Sequence, residues 1–327
     1  MSPERLLKYS QLPSKSPIDD LDVVTVDGQP LVVCTAQSDE LWTWHPLDGW
    51  SERSLPWAVA DEDEEEEDED QDSDPLYPDF AQVGAAVVGG RILVATGGQH
   101  QGPALWDLDG GELLSRPEPW RVAETLDVFE LGGRLHAFAG GGLEHFVWDP
   151  AAPAELDESA RWLSSPGELC AVTAAQVEGR ALVAAGGGGE VVVMDLETAE
   201  PLHRLEPSKL YINGVALTET MVAAVDEAGT IYRWNLADGT PLGDPIESGT
   251  EVRAMDTVVT ADRVLAVTGH ENGAVRLWDL TAGTELAPPM EDHEREVFSV
   301  VTTTFQDRPA AVTGGRDGIF RIWDLTP

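Results

Sequence analysis

Apolar residues in this chain come in short bursts separated by turn-forming residues, with no sustained helical stripe. The clearest stretch lies near the C-terminus. There Val297–Thr304 is an apolar, β-branched run that ends in the turn-forming 305–309 segment, Phe-Gln-Asp-Arg-Pro. Ala310–Thr313 is a second run, and the 314–318 segment, Gly-Gly-Arg-Asp-Gly, breaks it again. Ile319–Asp324 then alternates, with Ile319, Arg321 and Trp323 on one side and Phe320 and Ile322 on the other. Strict alternation over so few residues, bounded by Gly and Asp, predicts half-buried strands joined by tight turns.

The same phrase recurs along the chain. AVTGGRDGIFRIWDL ends at Leu325, AVTGHENGAVRLWDL at Leu280, AAVDEAGTIYRWNL at Leu236 and VAAGGGGEVVVMDL at Leu196. Weaker copies end at Asp149, Leu108 and Leu47. The anchor position reads Trp44, Trp106, Trp148, Met194, Trp234, Trp278 and Trp323, in steps of 62, 42, 46, 40, 44 and 45 residues. Seven anchors at a period near 44 predict an all-β, seven-bladed β-propeller of four-stranded antiparallel blades. The first unit aligns with the last without gaps, Ile18–Cys34 matching Val297–Thr313. The last unit has no room after Trp323 for a fourth strand, so the Glu4–Leu12 segment is expected to supply it and close the ring. Closure removes open sheet edges. One domain over residues 1–327 is therefore expected, with residues 59–78 inserted between blades 1 and 2 as a disordered acidic loop.

These units resemble WD40 repeats over nearly the whole chain, most strongly in the last two. The resemblance implies a structural tetrad in the last unit made by His293, Thr313, Asp317 and Trp323. It also implies partner contacts from three positions per blade, two at the start of the inner strand and one before the turn Asp. The side chains so marked include Asp19, Asp79, Glu124, Glu168, Tyr211, Glu227, Glu251, Arg253, Glu271, Glu296, Phe298 and Arg316. Of the 21 positions carried over, eight are acidic and two are basic. The sequence departs from the family pattern in that no other unit has the histidine, so the remaining blades are expected to hold by apolar packing.

Charge sharpens the functional reading. Twenty Lys and Arg stand against 60 Asp and Glu, a formal net charge of −40. Such a surface repels nucleic-acid phosphates and anionic membrane faces and attracts basic partners. The run Asp61–Asp74 holds 12 carboxylates in 14 positions and cannot bury itself. It reads as a solvated spacer, a binding segment for a basic protein or, less well, a calcium loop without EF-hand spacing. No stretch approaches the ~20 apolar residues needed to span a bilayer, and the N-terminus lacks a signal-peptide core. Cys34 and Cys170 sit in apolar runs without ligand spacing, which reads as free thiols in a reducing compartment. The scarcity of lysine beside Ala, Gly and Arg fits a GC-rich bacterial genome.

Motifs for chemistry are missing. The seven histidines, His45, His100, His136, His145, His203, His270 and His293, form no metal spacing with a carboxylate. There is no GxSxG elbow, and the glycine runs Gly140–Gly142 and Gly186–Gly189 lack a phosphate-loop ending and read as turns needing positive φ. Trp42, Trp50, Trp57, Trp120 and Trp162 are expected to pack between blades, or alternatively to form a peptide patch around Trp50 and Trp57. The sequence therefore predicts a cytoplasmic, monomeric, non-catalytic scaffold or adaptor without metal or cofactor, whose acidic top face binds a basic protein. The alternatives are an acidic inhibitor that neutralises a basic toxin or nuclease, and a ligand-binding channel.

Overall fold

The computed structural model describes residues 5–37, 40–53, 81–98, 103–115, 123, 125–140, 143–150, 161–163, 166–260 and 263–326. The acidic run, Asp79, Glu124, Trp57 and Trp120 lie outside them. The described residues form seven four-stranded antiparallel sheets and no helix. Blade 1 runs Asp20–Val26, Gln29–Ala36, Glu40–His45 and Gly49–Glu52 from the inner to the outer strand. The inner strands of the next five blades are Gln82–Val88, Leu126–Leu131, Leu169–Val177, Ile212–Leu217 and Val252–Val259. Blade 7 is Val297–Phe305, Arg308–Gly315 and Ile319–Asp324, and its outer strand is the N-terminal Leu6–Gln11. Leu6 faces Trp323 and Gln11 faces Ile319 in that pairing.

The core is seven layers. Each of the seven apolar clusters lies between two consecutive blades, so both faces of every sheet are buried. This explains the alternation in the last unit: Phe320 packs toward blade 1 and Trp323 toward blade 6. Trp42 and Trp50 follow the same logic. Trp50 packs edge-on against Phe320 and Trp42, and its indole N–H donates to Ser10 Oγ at 2.9 Å. It seals blade 1 to the N-terminal strand, in keeping with the packing expectation and not with the alternative of a peptide patch.

One of the glycine-run readings changes. Gly189 does take φ +87, but Gly186 is needed for close approach: a Cβ there would stand 2.5 Å from Ile212 of the next blade. Gly269 and Gly314 hold the equivalent place in blades 6 and 7, each with a next-blade methyl 2.6 Å from where a Cβ would sit. Glycine recurs here because neighbouring sheets touch at this point.

Candidate functional site: the acidic rim and the central channel

Topology puts the start of each inner strand and the turn between the second and third strands at the same end of a blade. The repeated backbone bonds show it: the amides of Glu227, Glu271 and Arg316 donate to the carbonyls of Tyr211, Glu251 and Glu296 at 2.9, 3.2 and 3.0 Å. The first and third positions named for blades 5 to 7 are thus direct neighbours. The second position has its own device. Pairing of the inner strand skips one residue in blades 4 to 7, and the skipped residues are Cys170, Asn213, Arg253 and Phe298. A bulge bends the strand and re-aims one side chain. Cys170, Asn213 and Phe298 consequently line the mouth of the central cavity, so Cys170 is half-buried at the channel and not in an apolar core as expected.

From blade 4 to blade 7 the rim forms a continuous arc. The exposed Tyr211 hydroxyl donates to Glu168 at 3.1 Å, and that bond and charge hold the phenol above its ordinary range. Glu227 adds to the negative field at both Tyr211 and Glu251. Glu251 is pushed up by hydrogen bonding with Glu271 and by its charge, so like charges are crowded here. Arg253 reaches both, 3.6 Å from Glu251 and 3.3 Å from Glu271. Glu271, Glu296 and Arg316 border a second hollow between blades 6 and 7, where Arg316 pairs with Glu296 at 3.3 Å. Leu210 and Tyr211 stand exposed within this acidic surround. Asp19 sits at the start of blade 1, its amide donating to Thr35.

Below the rim, the channel is a cavity of about 370 Å³ whose lining includes Asp20, Asp22, Asp127 and Asp256. The sequence reading passed over these four. Their signal was a carboxylate inside an apolar strand run, as in DLDVVTV of Asp20–Val26. Each is partly open to the cavity and walled in by the ring. Several of them tie blades together. Asp20 accepts the Val83 amide at 3.1 Å and Asp22 the Ala85 amide at 2.7 Å, both in blade 2. Asp256 accepts the Thr302 amide at 2.6 Å and its hydroxyl at 2.9 Å, both in blade 7. Ser299 of blade 7 donates to the Leu21 carbonyl of blade 1 at 3.1 Å. Burial pushes Asp20 up to about 6 and Asp22 up to about 7. Asp127 is raised well above the usual range and Asp256 is raised, both chiefly by burial.

The tetrad residues meet in blade 7. Trp323 Nε1 donates to Thr313 Oγ1 at 2.8 Å, Thr313 contacts His293 Nε2 at 2.7 Å, and His293 Nδ1 lies 3.1 Å from Asp317. Arg321, nearly buried, adds a 2.8 Å bond to Asp317. Burial works against ionised Asp317, but His293 and Arg321 outweigh it and bring it down to about 2. Blade 6 corrects the expectation that only one blade has such a network. Trp278 donates to Thr268 at 2.8 Å, and His270 lies 2.8 Å from both Thr268 and Thr250. Here the histidine comes from the end of the second strand, so a search at the family position misses it.

No family model matches the chain, and no curated protein matches it. Among solved structures the chain is similar to the computationally designed Ika8 protein, with 15% identity over 95% of this chain and 96% of that one and a TM-score of 0.60. Likeness at that identity speaks to fold alone. The molecule is a seven-bladed β-propeller, an architecture compatible with a WD40-like fold.

Proposed function

We propose that the protein is a non-catalytic interaction module that binds a basic protein segment across the rim of blades 4 to 7. The observation that supports it best is the unbroken run from Glu168 through Tyr211, Glu227 and Glu251 to Glu271, with Leu210 and Tyr211 exposed inside it. An aromatic anchor within a charged surround is where interfaces concentrate their energy. The crowded carboxylates Glu251 and Glu271 gain from an incoming cation. Absence of catalysis is part of the same proposal; the titratable groups of the channel lining among the described residues are four carboxylates and the Cys170 thiol. The net charge of −40 disfavours nucleic acid and anionic membranes as partners; a monomeric state and a reducing, cytoplasmic setting are part of the same proposal.

Titration with a synthetic Lys/Arg-rich peptide carrying one aromatic residue tests this. Binding should be lost at about 0.5 M salt, where screening reaches a few Å. Tyr211→Ala, and separately the triple change Glu227→Gln, Glu251→Gln, Glu271→Gln, should each weaken it about tenfold, roughly 1.4 kcal/mol. Glu178→Gln with Glu197→Gln, at the opposite end of blade 4, should leave it unchanged. Equal binding by all variants would overturn the assignment of the rim.

A further inference from the structure

Among the described residues that line the channel, the carboxylates have no counter-charge. Asp20 and Asp22 come from blade 1, Asp127 from blade 3 and Asp256 from blade 6. The other titratable group in the lining is Cys170 of blade 4, and the lining segments of blades 2, 5 and 7 contribute none. Asp19 stands at the rim beside Asp20, and Cys34 is buried behind them on the second strand. The nearest cation on an inner strand, Arg253, is engaged with Glu251 and Glu271. Four carboxylates thus share one walled cavity, and three of them bond to the backbone of the next blade.

We propose that this cluster is a proton-operated brace, in which protonated carboxyls let the inner strands converge and loss of those protons loosens the ring. The physical basis is desolvation: a charge in a narrow cavity without a partner is expensive, and a neutral carboxyl keeps its hydrogen-bonding capacity. The sign follows from linkage. A carboxyl whose folded pKa is raised contributes stability that is complete below its unfolded value. That stability is lost as pH rises through the folded value. Burial carries Asp20 to about 6 and Asp22 to about 7, so the loss extends to neutral pH. The histidines His270, His136 and His293 are all shifted down by burial and act in the opposite direction, but only below their unfolded value of about 6.5. Above it the channel stands apart. The rim residues Asp19, Cys170 and Phe298 begin the strands that carry or face these carboxylates, so ring tightness and rim spacing share one proton-dependent contribution.

The test compares the thermal midpoint of the wild-type chain with that of Asp22→Asn and of Asp22→Asn/Asp127→Asn between about pH 6.5 and about pH 8. Asn stands in for the neutral carboxyl. The wild-type midpoint should fall with rising pH, and the variants should be flatter and higher at the alkaline end. Parallel slopes in all three proteins would overturn the proposal. Should the double variant not fold, infrared difference spectra of the wild-type protein at about pH 6.5 decide the matter. A protonated-carboxyl band that disappears on unfolding supports the brace, and its absence refutes it.

Discussion

At the scale of single residues, the ten-residue step from a second-strand hydroxyl to the anchor indole is the unit that recurs. It is made by Thr96 to Trp106, Thr268 to Trp278 and Thr313 to Trp323, at 3.2, 2.8 and 2.8 Å. Where the residue ten back is Phe138, the buried Trp148 N–H has no hydrogen-bond partner among the described residues. The three bonds differ in what else hangs on them. Thr313→Val strands both Trp323 and His293, so a loss of about 2–4 kcal/mol is expected, against about 1–2 kcal/mol for Thr96→Val. Urea unfolding at neutral pH measures the difference, and equal losses would mean that the His293 arm adds nothing. Asp317 belongs to the opposite pH regime from the channel. Its contribution is present above its unfolded value near 4 and fades as pH falls through about 2.

At the scale of elements, the third strand of blades 2, 4, 5, 6 and 7 ends in an Asp or Asn that organises the residues after it. Asp195 accepts the amides of Glu197 and Thr198 at 2.9 and 3.2 Å while Arg180 grips its other oxygen at 2.6 Å. The hydrogen bond from Arg180 is the foremost reason that Asp195 lies below the ordinary carboxylate range. The same pair recurs as Arg91–Asp107, Arg134–Asp149, Arg263–Asp279 and Arg308–Asp324, at 2.5, 3.1, 3.4 and 2.9 Å. All five lie at the end of the blades opposite the rim, where the first-to-second and third-to-fourth turns sit. The turn bonds and the ion pair should separate on mutation. Asp195→Ala loses the turn bonds as well and should cost about 1–3 kcal/mol. Arg180→Ala, which removes only a half-exposed cation, should cost about 0.2–1 kcal/mol. Denaturant midpoints of the two variants check this ordering, and a larger loss for Arg180→Ala would contradict it.

At the scale of the whole molecule, much of the positive charge is already committed. Arg276 pairs with Glu285, Arg204 with Glu190 and Arg321 with Asp317, beside the five pairs at the far end and the two at the rim. Carboxylates dominate what remains outward, and a chain with a net charge of −40 repels itself. Sodium chloride raised from about 0.02 M to about 0.3 M should therefore increase the thermal midpoint, since the screening length drops below 10 Å. A fall would show that the ion pairs outweigh the repulsion. Closure adds a topological demand. Leu6–Gln11 must find Ile319–Trp323 at the far end of the chain, and such non-local pairing slows folding.

The sequence by itself determined the repeat, the strands and the sevenfold count. Those features rest on local alternation, turn residues and the recurring anchor from Trp44 to Trp323, each written within a few residues. It also marked the described rim positions of blades 4 to 7, because the turn residue stands seven before the anchor in each of these units, although the strand start varies in its distance. Tertiary structure alone decided the rest. Asp22, Asp127 and Asp256 become neighbours only when strands from three blades converge, and their protonation depends on walls supplied by the other inner strands. His270 could enter a Trp–Thr network from an unexpected position because a side chain is placed by geometry, not by its rank in a motif.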